Sequence, residues 1–142
     1  MMDQKMLQRM AAYCSRSEHC QSEVREKLRG VEGAEGIMER LINEGFIDNA
    51  RYARAYVRDK FRFNRWGRVK IRMMLMTKKI ENEIIDEALA EIDEEEYVEV
   101  LRELIEGEKR RVKAASDYEL RGKLFRFAAG RGFEGSVISK IL

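Results

Sequence analysis

The sequence predicts an all-α fold arranged as a tandem array of three small three-helix modules, and three features point there. Apolar residues recur at helical spacing, as in Ala53, Val57 and Phe61 with Tyr52 and Tyr56 alongside, while the strict alternation of a half-buried strand is absent. The 142 residues include no proline, so nothing in the chain forces a helix to break. A hydrophobic pattern recurs at intervals of 47 and 49 residues, a span that fits three short helices with little core of their own, leaning on their neighbours.

Taken in order, the first module covers residues 1–45 and ends at Gly45, a C-terminal stop after Leu41 and Ile42. The second, residues 46–92, opens with Asp48 as an N-cap. The third, residues 93–142, opens with Asp93, whose capping-box partner is Glu96; Ser116 and Glu119 repeat that spacing. The middle helices superimpose, with Val24 and Leu28 matching Ile71 and Leu75, and then Leu120 and Leu124. In this register the N-caps are Cys20, Gly67 and Ser116, and the third helical position holds Glu23, Lys70 and Glu119. The third helices begin around Gly33, Glu81 and Glu134, with apolar pairs Ile37/Met38, Ile84/Ile85 and Val137/Ile138. The last module is longer between its second and third helices.

Composition narrows the function. Apolar residues make up 44% of the chain, enough for a core, and charged residues 38%, well above the usual ~25%. Unbroken apolar runs, such as Met73 to Met76, fall far short of the ~20 residues that span a bilayer. Residues Met1 to Lys5 lead into an amphipathic stretch without the apolar block of a secretory signal, so the chain reads as cytoplasmic and without a membrane partner. Cys14 and Cys20 then read as reduced thiols. Together with His19 they fall short of the four ligands of a tetrahedral zinc site. One histidine, no glycine-rich phosphate loop and no paired-cysteine motif leave neither an enzyme nor a cofactor to expect.

The net charge of +2 conceals blocks of opposite sign. Residues 51–80 carry 11 basic side chains against 1 acidic, and residues 81–108 carry 13 acidic against 1 basic. Residues 109–142 return to 9 basic against 3 acidic. In the first block Arg51, Arg54, Arg58 and Arg62 fall at steps of three and four, a positive stripe opposite Ala53, Val57 and Phe61. Arg65 and Trp66 follow in a turn; Arg68, Lys70 and Arg72 continue beside Ile71, Met74 and Leu75; Lys78 and Lys79 close the run. Guanidinium forks suit phosphates or carboxylates, and a tryptophan among them fits either packing between modules or partner contact. The block could instead neutralise the acidic helices that follow. An excess of ten charges favours an external anionic partner.

The run from Gly45 to Ala53, Gly45-Phe46-Ile47-Asp48-Asn49-Ala50-Arg51-Tyr52-Ala53, followed by Tyr56-Val57, resembles the most recognisable motif of the RecX family of RecA regulators. Trp66-Gly67-Arg68-Val69-Lys70-Ile71-Arg72, with Leu75 and Lys78-Lys79-Ile80, is similar to the helix pair of that family's second repeat. Glu23 to Leu28 resembles the first repeat, and Lys123 to Phe127 with Arg131-Gly132-Phe133 the third. The resemblance implies a curved, elongated array of three three-helix repeats that lies in the groove of the RecA filament on DNA. The resemblance implies a modulator that mainly inhibits recombinase ATPase, strand exchange and coprotease action in DNA repair, recombination and regulation of the SOS response. It is expected to act as a monomer, with single- or double-stranded DNA as a further partner. A helical protein that competes for DNA, or an adaptor between other proteins, is the alternative. Two departures stand out: Cys20 where the family often has Ser, and Lys79 in place of a common Gly before Ile80.

Overall fold

The structure, a computed structural model, describes residues 3–142; Met1 and Met2, with which the amino-terminal reading begins, lie outside the described residues. Nine helices and no strands occur among the described residues. The first group holds α1 (Gln4–Arg16), α2 (Gln21–Lys27) and α3 (Ala34–Asn43). The second holds α4 (Asn49–Arg62), α5 (Arg68–Thr77) and α6 (Asn82–Ala90), and the third α7 (Glu94–Arg111), α8 (Asp117–Gly130) and α9 (Gly135–Ile141).

Side-chain caps set the helix starts. Asp48 Oδ1 accepts from the Ala50 and Arg51 amides at 2.9 and 3.1 Å, and Asp93 from Glu96 at 2.9 Å. Ser116 Oγ accepts from Glu119 at 3.1 Å, while Glu119 reaches one residue further back than a capping box does, to the Ala115 amide at 3.0 Å. Gly33, Glu81 and Glu134 directly precede α3, α6 and α9. The extra length of the third group is helix and not connection, since α8 has 14 residues against 7 in α2 and 10 in α5.

Three helices stop by the same device, in which two amides fold back onto carbonyls of the last turn around a left-handed residue. At the end of α3 the Phe46 amide meets Leu41 O at 2.9 Å and Gly45 meets Ile42 O at 3.1 Å. After α8, Phe133 meets Ala128 O and Gly132 meets Ala129 O, with Gly132 at φ +98°. After α5, Ile80 meets Leu75 O and Lys79 meets Met76 O, but here the left-handed residue is Lys79, at φ +59°.

The apolar interior divides in two. Leu7, Met10, Cys14, Val24, Leu28, Ile37, Met38, Leu41 and Ile47 form one core under the first three helices. The other runs without a break through the remaining six, from Val57, Phe61, Ile71, Leu75 and Ile85 to Tyr97, Leu101, Ile105, Leu124 and Ile138. Fully buried Cys20 joins this second core from the start of α2.

Candidate functional site

The basic second group is built around α5, whose first turn is held by the third group. The Gly67 amide donates to Arg131 O and the Val69 amide to Gly132 O, both at 2.9 Å, and the Arg68 amide donates to Tyr97 Oη at 2.9 Å. Three amides that a helix start leaves without partners are thereby satisfied by another module. The approach requires glycine on both sides: a Cβ on Gly67 would collide with the Gly132 carbonyl group, and one on Gly132 with Lys70. Arg68 lies over the Tyr97 ring, 3.9 Å from its centroid, and pairs with Glu134 at 2.7 Å and Glu94 at 2.9 Å. Burial works against this guanidinium's charge, but the hydrogen bond to Glu94 and the field of Glu134 outweigh it and raise its pKa. Tyr97 Oη donates to Glu134, and burial together with that bond pushes the phenol pKa up, so it stays neutral. Arg68 is therefore a clasp between modules, committed to internal partners.

Two more of the expected site residues face the first group. Arg51 turns back to Glu18 at 2.7 Å and to the Gly45 carbonyl at 3.0 Å, so the outward stripe on α4 starts one step later. Lys78 pairs with Glu23 at 3.2 Å, and its carbonyl accepts from Ser22 Oγ at 2.6 Å. Its pKa is raised by the bond to Glu23.

Arg65 and Arg72 reach into the acidic block, Arg65 to Glu103 at 3.4 Å and Arg72 to Asp86 at 2.7 Å. Both pairs are open to water, where such contacts contribute about 0–1 kcal/mol and remain exchangeable for a partner's anion. Arg54, Arg58 and Arg62 line one wall of a groove of about 370 Å³ floored by Val57, Phe61, Ala88 and Ile92. The facing wall carries Glu91, Asp93 and Glu96, yet none of the three arginines is ion-paired across it among the described residues. Lys79 is exposed at the end of α5. Trp66 packs against the shared core with one face of its chemistry outward: Lys60 Nζ lies 5.1 Å and Lys70 Nζ 4.5 Å from its ring centroid.

Apolar side chains also belong to this surface, and the charge pattern alone did not reveal them. Val69, Met73 and Met76 stand 45%, 61% and 52% exposed at i, i+4 and i+7 on α5, on the side away from buried Ile71 and Leu75. Met74, which periodicity groups with Ile71 and Leu75, is exposed as well. Phe63, in the turn before α5, is 81% exposed. The signal was available in the run Met73 to Met76, four apolar residues in a helix that needs only two of every four for its core.

The remaining sequence expectations concern chemistry. Cys14 and Cys20 are free thiols, both buried, and burial raises the pKa of Cys14. Among the described residues no helix is long and apolar enough to cross a membrane, and no group of His, Cys, Asp and Glu could hold a metal ion.

Comparison with known proteins fits this architecture. Residues 48–89 match the second three-helix domain of RecX and residues 94–142 the third. The chain is 35% identical to the regulatory protein RecX of Xanthomonas citri, over 96% of this chain and 85% of that one. It is 32% identical to regulatory protein RecX of Clostridium acetobutylicum, and covers 94% of this chain but 65% of the relative. Against regulatory protein RecX of Clostridium beijerinckii it covers 59% of the relative, so the chain spans about three-fifths of the clostridial proteins. Among solved structures, RecX from Lactobacillus salivarius superimposes with a TM-score of 0.89 at 25% identity, covering 97% of this chain and 92% of that one. A crystal structure of regulatory protein RecX gives 0.87 at 28% identity, over 96% and 70%. These relatives are named as regulators and not as enzymes. On two matched domains that together cover most of its length, and relatives sharing a third of its residues, the chain belongs to the RecX family of regulatory proteins.

Proposed function

We propose that this protein binds the RecA recombinase filament on DNA in the cytoplasm and restrains it, lowering recombinase ATPase, strand exchange and coprotease activity. It acts as a monomer through the outward side of the second module. Arg54, Arg58, Arg62, Lys70 and Lys79 supply charge there, and Arg65 and Arg72 exchange their weak internal pairs for the partner's. Arg68, Arg51 and Lys78 hold the scaffold.

The observation that carries this reading is what stands beside the free cations. The outer face of α5 presents Val69, Met73 and Met76, an apolar stripe next to Lys70. A partner that offers only phosphates gains nothing from such a stripe, whereas a protein surface with acidic and apolar parts satisfies both. Methionine suits that task because its unbranched thioether adapts to an irregular partner. This favours the recombinase itself over simple competition for DNA.

The test is recombinase ATPase on single-stranded DNA, titrated with this protein at several salt concentrations. Replacing Arg54, Arg58 and Arg62 together by Gln, and separately Met73 and Met76 by Gln, is expected to raise the concentration needed for inhibition about tenfold in each case, with helicity unchanged. Unchanged inhibition by both variants refutes the proposal. Inhibition that tracks DNA affinity across salt, with no binding to DNA-free recombinase, replaces it with competition for DNA.

A further inference from the structure

Among the described residues the sulfur-bearing side chains fall into two sets. Met10, Met38, Cys14 and Cys20 are buried in the two cores, and Met6 is half-buried against the first of them. Met73, Met74 and Met76 are exposed, and all three stand within one turn of α5. Packing does not account for them, since Ile71 and Leu75 supply the buried contacts of that helix. What methionine adds over another apolar residue at such a position is a divalent sulfur that can take up oxygen.

The surroundings decide which sulfur an oxidant dissolved in water meets first. Met73 and Met76 share the outer face of α5 with Val69, and Met73 lines, with Val69, Leu89 and Ala90, a shallow depression of about 310 Å³. Arg68 and Arg72 also line it and are paired with Glu134 and Asp86, both at 2.7 Å. A cysteine thiolate would react faster than a thioether, but both thiols are covered, and burial favours the protonated form of Cys14. Exposure therefore singles out the α5 methionines.

We infer that Met73, Met74 and Met76 form a peroxide-sensitive modification site, and that their oxidation to sulfoxide turns off the partner surface of the second module; this rests on the proposed reading of that surface. The sulfur lone pair attacks one oxygen of hydrogen peroxide, the O–O bond breaks, an S–O bond forms and the other oxygen leaves as water after proton transfer. Sulfur loses two electrons and the peroxide gains them. A dithiol reverses the step, becoming a disulfide while the sulfoxide oxygen leaves as water. In the free chain the new oxygen stays hydrated, so the fold tolerates it. Under a partner it must shed that water where Val69, Leu89 and Ala90 offer no donor and the two arginines are engaged. The modification thus acts on binding and not on folding.

The experiment exposes the whole chain to graded hydrogen peroxide, removes the oxidant and maps each sulfur by peptide mass. The treated chain is then titrated into recombinase ATPase on single-stranded DNA. Met73, Met74 and Met76 are expected to gain oxygen at doses that leave Met10, Met38 and both cysteines unchanged. The concentration for half-inhibition rises about tenfold, with helicity unchanged. Methionine sulfoxide reductases with a dithiol restore the untreated value. A variant carrying Met73→Leu, Met74→Leu and Met76→Leu, compared with its own untreated sample, shows no shift on treatment. Modification of the buried sulfurs first, full oxidation on α5 with inhibition unchanged, or the same shift in the leucine variant each overturns the inference alone. An untreated chain that does not inhibit overturns the surface reading itself, and the inference with it.

Discussion

At both junctions the amino-terminal end of one module's second helix meets the carboxy-terminal end of the next module's second helix, but the two joints are made of different groups. Between the second and third modules, backbone amides of α5 meet backbone carbonyls after α8, two glycines let the chains touch, and one core runs beneath. Between the first and second, the α2 end reaches Lys78 O through the Ser22 hydroxyl, the Gln21 amide turns to Asn49 Oδ1 at 2.9 Å, and the cores stay separate except at Cys20. A backbone joint has few ways to adjust. A joint made through side chains can rotate about several bonds, so the last six helices are expected to behave as one body with the first three attached to it more loosely.

Three experiments can break or sharpen that contrast. The largest effect belongs to Gly132→Ala, which combines a left-handed backbone with a collision against Lys70 and Gly67. It is expected to cost about 3 kcal/mol in urea unfolding and to loosen α5 and α8 together in hydrogen exchange. Ser22→Ala, its counterpart at the other joint, should cost about 1 kcal/mol and speed exchange in α1 to α3 alone. Equal losses spread over all nine helices would show the two joints to be equivalent.

The intermediate effect is one of pH. Burial works against the Glu23 carboxylate, but the Cys20 amide at 3.1 Å and Lys78 at 3.2 Å outweigh it and hold its pKa below the ordinary value. A folded pKa below the unfolded one contributes stability that is present above about 4.3 and lost as the pH falls through the folded value. Acidification below about pH 4.3 should therefore open the first joint, with Glu23→Gln removing that part of the pH dependence. The smallest effect is a gain: Lys79→Gly relieves a left-handed lysine and should stabilise the chain by about 0.5 kcal/mol, net of the freedom glycine adds to the unfolded state. No gain would mean that Lys79 forms a compensating contact in solution.

Helix order and helix starts were legible because they are written in side chains. Asp48, Asp93 and Ser116 bond the amides that follow them, and the apolar pairs after Gly33, Glu81 and Glu134 mark the third helices. The joint between the second and third modules was not, because amide and carbonyl carry no residue signature; Gly67 and Gly132 are its only trace. Charge counting along the chain has a similar limit. It shows that residues 51–80 are cationic, but Arg68 finds Glu134 across 66 positions, and only the fold brings them together. The run Met73 to Met76 marks more apolar residues than a core face needs, but which of them turn to solvent was hidden, since a helix that is apolar on two sides looks like one that is buried.

The tryptophan held between Lys60 and Lys70 gives the molecule an optical reporter. The chain has one tryptophan, so intrinsic emission excited at its absorption edge comes from a single place, and that place carries two ammonium groups against the indole. Any ligand that draws either lysine away changes the field on the excited ring, and the shift in colour can be followed without a label.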